Sequence, residues 1–158
     1  MFHGSASGVM LAHAVAEATK RAPNADVVIA PPFTALAAAA HECEGSNVTI
    51  AAQNMYPKDS GAFTGEVSAP MLKEAGCTWV ILGHSERRQY FAESDAFVAE
   101  KTAAAFAFGL LPIACVGETL AEREAGQTSS IVSRQLAAVI DLVGVAALAA
   151  AVVAYEPV

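Results

Sequence analysis

Charge is scarce in this chain: only 16% of its 158 residues are Asp, Glu, Lys or Arg, whereas 54% are hydrophobic. That balance excludes a disordered tail and leaves enough apolar side chain for a sizeable core. Positive charge is scarcer still. The nine Lys and Arg are scattered, and with a formal charge of −7 they make no basic stripe for a polyanion, so no nucleic-acid partner is expected. Cysteine is too sparse for a disulfide framework or a zinc site. Cys43, Cys77 and Cys115 are odd in number and far apart, with no C-x-x-C pair, which fits a reducing cytosol and a cytoplasmic location. His3, His13 and His41 have no acidic or cysteine partner at ligand spacing, so no metal is expected. Long apolar runs are lacking too: the start MFHGSASGVMLAHAV has no basic leader, and Glu17, Lys20 and Arg21 interrupt it before it could span a bilayer. Neither a targeting segment nor a membrane partner is read from it. No Gly-rich phosphate cradle is visible.

What is present is alternation. Five short apolar runs, DVVIAP at 26–31, NVTIAA at 47–52, TWVILG at 78–83, LPIACVG at 111–117 and AVVAY at 151–155, read as strands covered on both faces. Helical signals lie between them. Ser94 can cap a helix with Asp95 in its first turn and Gly109 at its end, and Ser68 can cap another with Pro70 in its first turn. Val132, Leu136, Val139, Ile140 and Val143 recur at helical spacing, as do Leu11, Ala14, Val15 and Ala18. A helix-first, strand-last alternation predicts βαβ units on a parallel sheet within a single domain, residues 1–158. Periodicity alone leaves open whether that sheet is flat or closed into a barrel.

In parallel α/β proteins functional groups gather at the carboxyl ends of strands. Four of the five runs end in polar groups: Gln53 and Asn54, then His84 to Arg88, then Glu118 and Thr119, then Glu156. In VILGHSERRQYFAE, residues 80–93, His84 follows Gly83 and precedes a segment that can begin a helix. Free backbone N–H groups there favour a neutral ring that donates a hydrogen bond. A structural hydrogen bond is the plainer reading of a lone histidine at such a place. Glu156, followed by Pro157, is either a general base at a strand end or a solvated carboxylate.

The segments VILGHSERR, CVGETLAERE and VVAYEPV, together with APPFTAL and AAQNMYPKDSGAFTGEVS, resemble the triosephosphate isomerase family in order and separation, over essentially the whole chain. The resemblance implies a (β/α)8 barrel, here incomplete with about five parallel strands. It implies the glycolytic and gluconeogenic interconversion of dihydroxyacetone phosphate and glyceraldehyde 3-phosphate, with a phosphorylated triose as substrate and no cofactor. It makes Glu156 the base that moves a proton between two substrate carbons and His84 the neutral electrophile on the carbonyl, a well-known worked case of acid–base tuning. It places Ser85 against His84 and Glu86 as a polar neighbour in the same mouth. The loop 54–68, with Thr64 at its tip, would reach across a homodimer toward the neighbouring subunit's site. Cys115 is expected to be structural rather than nucleophilic.

Two features of the family pattern are not found in the 158 residues. The strand that carries a lysine lies before the match to Met1–Ser5, and the phosphate-gripping loops lie beyond the start of the lid at Glu156. Without them the orientation of substrate is weakened, and this chain by itself is expected to be a poor catalyst. The competing expectation is a non-catalytic truncated barrel acting as an interaction scaffold; a different phosphosugar enzyme on the same barrel is a third.

Overall fold

The computed structural model describes residues 3–21 and 24–156, in two compact units, Met1–Val80 and Ile81–Val158. The first unit opens with helix α1 (Ser5–Thr19), followed by strand β1 (Val27–Ile29), a 3-10 turn at Phe33–Ala35 and helix α2 (Leu36–Glu42). Strand β2 (Val48–Ala52), helix α3 (Ala69–Glu74) and strand β3 (Trp79–Leu82) follow. Every strand expected from the sequence forms, a residue or two shorter at its ends. β1 pairs in parallel with β2 from Val27↔Val48 to Ile29↔Ile50, and Ala51 and Ala52 pair in parallel with Trp79 and Val80 of β3.

α1 does not bury the face its larger side chains suggested. Gly8, Ala12 and Ala16 are buried, whereas Leu11, Ala14 and Ala18 are exposed. The reason is close packing. A Cβ built on Gly8 would lie in ordinary contact with that of Ala35 at 3.4 Å, and the Cys43 thiol approaches the Ala12 carbonyl at 3.9 Å, so small side chains carry the contact of α1 with the 3-10 turn and the end of α2. Gly76, just after α3, has φ +90°, and a Cβ there would lie 2.6 Å from that of Ala40. No other residue suits that turn. The core of this unit is Leu36, Val48, Ile50, Met55, Leu72 and Val80, each contributing about 1.5–3 kcal/mol by burial.

The second unit holds the end of β3, helix α4 (Ser85–Phe91), helix α5 (Asp95–Ala107), strand β4 (Leu111–Val116), helices α6 (Leu120–Glu124), α7 (Thr128–Val143) and α8 (Val145–Leu148), and strand β5 (Val152–Tyr155). β4 and β5 pair in parallel from Ile113↔Val152 to Val116↔Tyr155. As expected, Ser94 caps α5, its Oγ accepting from the Phe97 N–H at 3.2 Å. α5 packs on β4 and α7. On α7 the fully buried stripe is Ile131, Gln135 and Val139, with Val132, Leu136, Ile140 and Val143 half-buried beside it. Gln135 is tolerated there because its amide accepts from the Gly117 N–H (2.9 Å) and donates to the Gly117 carbonyl (3.0 Å), pinning the end of β4.

Two expectations are corrected. β5 is not covered on both faces: Val152 and Val153 are about half exposed and Tyr155 is 50% exposed, on the strand at the end of the sheet order. Ser68 does precede α3, with Pro70 in the first turn, but its buried Oγ accepts no helix N–H and has no hydrogen-bond partner.

Candidate active site

The site of the second unit begins with a glycine. At the end of β3 the chain turns through Gly83, whose φ of +74° lies in the left-handed region that favours glycine; a Cβ there would meet Val98, Arg88 and the Cys115 carbonyl at 2.9–3.1 Å. This turn delivers His84 to the N-terminus of α4, where it is the cap residue. Its Nδ1 accepts the backbone N–H of Glu86 at 3.3 Å. A ring nitrogen that accepts an N–H carries no proton, so the geometry selects the tautomer with its proton on Nε2. Nε2 lies 3.0 Å from Glu156 Oε1. The ring therefore offers a donor on the side facing the carboxylate.

Glu156 arrives from the other direction. Its backbone N–H donates to the Val116 carbonyl at 2.7 Å, extending the β4–β5 pairing one residue beyond β5. Pro157, expected to fix the backbone after it, lies outside the described residues. The carboxylate is held by Ser85, whose N–H donates to Oε2 at 3.1 Å and whose hydroxyl donates to Oε1 at 3.0 Å. Ser85 thus binds the glutamate, a contact its place beside His84 in the sequence did not reveal. The carboxylate of Glu86 is largely in solvent, 3.9 Å from Nδ1; the Glu86 backbone N–H makes the hydrogen bond to His84. Thr64 belongs to the first unit, exposed on the loop between β2 and α3.

Around this centre lies a polar framework that the sequence showed only in part. Glu118, fully buried after β4, accepts from Arg123 Nε (2.8 Å), Thr128 Oγ1 (3.0 Å) and the Tyr155 hydroxyl (2.9 and 3.0 Å). Burial alone would raise its carboxyl. The hydrogen bonds from Arg123, its own backbone, Tyr155 and Thr128 outweigh burial and hold it down at about 2. Tyr155, the residue before Glu156, is thereby tied to α6 and α7. The signal available in the sequence was the Thr119-x-x-Glu122 capping box, which forms as such and starts α6 so that Arg123 turns back onto Glu118. Cys115 is buried, and desolvation, reinforced by the nearby Glu156 charge, pushes its thiol up to about 11. It is a packing residue in this setting. Among the described residues no three His, Cys, Asp or Glu converge to hold a metal ion.

The two strand ends thus bring a histidine hydrogen-bond donor and a carboxylate face to face, a pair that between them can donate and accept a proton. The family model of triosephosphate isomerase matches residues 1–158, and the chain belongs to that family. It is 60% identical over 134 residues to the triosephosphate isomerase of Alcanivorax borkumensis, covering 85% of this chain and 54% of that protein. It is 53% identical over 155 residues to that of Delftia acidovorans (98% and 62%) and 47% identical over all 158 to that of Herpetosiphon aurantiacus (100% and 63%). The chain thus spans between half and two thirds of the length of these relatives. Five parallel-paired strands alternating with helices are those of an incomplete (β/α)8 barrel, as expected from the sequence.

Proposed function

We propose that this chain carries the proton-transfer centre of a triosephosphate isomerase, with Glu156 as the base and His84 as the electrophile, acting on dihydroxyacetone phosphate and glyceraldehyde 3-phosphate in glycolysis and gluconeogenesis. The observation that carries the reading is the 3.0 Å approach of His84 Nε2 to Glu156 Oε1, with Nδ1 occupied by a backbone N–H. A neutral donor and a carboxylate are the two groups that enediolate formation needs: one takes the proton α to the carbonyl, the other supplies a hydrogen bond to the oxygen where charge develops. In the structure each satisfies the other, and Ser85 adds two donors to the carboxylate. Substrate must displace that contact, freeing the Nε2–H for the carbonyl oxygen and the carboxylate for the C–H.

The test is hydrogen exchange at the α-carbon of dihydroxyacetone phosphate in deuterated water, followed by NMR, which detects proton abstraction even at low turnover. The chain should exchange faster than buffer, and Glu156→Gln should lower that rate by about 10²- to 10⁴-fold. Equal rates for the chain and for Glu156→Gln would sink the assignment.

The same reading makes the protein a cytoplasmic homodimer and residues 1–158 one incomplete barrel domain. No described helix is long and apolar enough to cross a membrane. Dimerisation through the 54–68 loop is supported by a loop that is braced yet outward-facing. The Tyr56 N–H donates to the Val67 carbonyl at 2.9 Å, the Phe63 ring lies on that of Tyr56 at 4.5 Å, and Thr64 beside it is exposed. Thr64→Arg should shift the sedimentation coefficient toward the monomer; a variant that sediments as the unaltered chain does would count against this interface.

A further inference from the structure

We infer that Arg88 is a positioning residue for His84, clamping the Gly83–His84 turn so that the imidazole keeps a single tautomer and orientation; this rests on the role proposed for His84 above. Arg88 lies in the last turn of the seven-residue α4 and folds its side chain back toward the strand before it. Its Nε donates to the Gly83 carbonyl at 2.8 Å, its Nη1 to Asp95 Oδ1 at 2.6 Å and its Nη2 to the Cys115 carbonyl at 3.5 Å. One planar group thereby holds the end of β3, the start of α5 and the end of β4 together.

The guanidinium is itself held. Its side chain is 17% exposed, and the Asp95 carboxylate that orients it is anchored from the far side by Arg134 Nε on α7 at 2.9 Å. The fit at the glycine is close, for a Cβ on Gly83 would come within 3.0 Å of Arg88 Nη2. The bare Gly83 backbone lets the fork approach, and the fork fixes the peptide plane that precedes His84. That plane matters because the bond defining the tautomer, Glu86 N–H to His84 Nδ1, is long at 3.3 Å. A small rotation at Gly83 takes it out of hydrogen-bonding range. The polar partners of Arg88 are Gly83, Asp95 and Cys115 rather than Glu156 or the imidazole, so it acts on His84 through the backbone. A lysine would keep the charge beside Asp95 but could not make the three forked contacts at once.

The experiment reads His84 directly, without turnover. The 158-residue chain is labelled with ¹⁵N-histidine, and its ring nitrogens are followed at neutral pH by long-range ¹H–¹⁵N correlation, with His84 assigned by the signals lost in His84→Gln. In the unaltered chain His84 should show one bare and one protonated nitrogen. In Arg88→Met and Arg88→Lys, both checked for a native far-UV spectrum, the two His84 resonances should move toward each other as the tautomers average, with His3, His13 and His41 unchanged. Should Arg88→Met fail to fold, Asp95→Asn, which loosens the guanidinium from behind, should give the same displacement in smaller degree. Lowered thermal stability with an unmoved His84 pair in the folded variants would mean that Arg88 only braces the fold, and the inference would fall. Retention of the pair in Arg88→Lys alone would also overturn it, since charge and not the fork would then suffice. Absence of isomerase activity in the unaltered chain would bear on the proposed reaction and leave this result standing.

Discussion

Single residues show how much of the polar chemistry here is structural. Glu93 is buried between Arg87 Nε at 2.6 Å and Lys101 Nζ at 2.5 Å, with side chains 25% and 1% exposed. The Arg87 guanidinium also lies over the Phe91 ring at 4.4 Å, and the Lys101 ammonium lies over Phe97 at 4.6 Å. A carboxylate removed from this cluster leaves two cations without their acid, one of them fully buried. The cost of breaking such a buried pair is about 3–5 kcal/mol, a large part of a domain's whole stability. Glu93→Ala should therefore lose most of its cooperative urea unfolding transition, whereas Glu93→Gln, which keeps an acceptor, should retain one at a lower midpoint. A midpoint for Glu93→Ala equal to that of the unaltered chain would contradict this reading. In the sequence the pair His84 and Glu156 was legible because each stood at the end of an apolar run. Arg88, Glu93 and Ser85 stood in the same polar stretch, and their separate partners could not be sorted, since those depend on how a helix of seven residues turns back on the strand before it.

At the level of elements, the two serines read as caps have parted company. Ser94 Oγ takes the Phe97 N–H, whereas Ser68 Oγ is buried to 6% residual exposure with no partner. Loss of a working N-cap costs about 1 kcal/mol, while removal of a hydroxyl that bonds nothing costs little or is favourable. Ser94→Ala should lower stability by about that amount and Ser68→Ala should leave it unchanged or raised, measured as urea midpoints of the two variants. Equal losses would mean that Ser68 caps α3 after all. The five strands were readable because continuous β-branched runs differ from helical spacing, and their boundaries held to within one or two residues. Helix faces were less readable. On α1 the rule that large apolar residues point inward failed, because the face turned to its neighbours is lined by the small residues Gly8, Ala12 and Ala16; on α7 a glutamine takes a core position by satisfying both backbone groups of Gly117.

For the molecule as a whole, titration brackets the range in which the fold is stable. Glu118 is held at about 2 in the folded chain, against about 4.3 for an unfolded glutamate, so the unfolded state binds more protons in between. Its contribution is complete above pH 4.3 and is lost as pH falls toward 2. The thiols of Cys77 and Cys115 shift the other way, pushed by burial to about 11 from about 8.5. Burial favours their protonated form, so their contribution is complete below pH 8.5 and is lost as pH rises toward 11. The urea midpoint of the chain should thus form a plateau between these limits and fall on both sides. The two arms have separate owners. Glu118→Gln should flatten the acid arm by removing the titrating group, at some cost on the plateau because Arg123 loses its carboxylate, and should leave the alkaline arm unchanged. Cys77→Ala with Cys115→Ala should lower the plateau through lost packing and flatten the alkaline arm alone. An acid arm that persists undiminished in Glu118→Gln would show that the buried hydrogen-bond cluster around Tyr155 does not depend on the ionised carboxylate at its centre.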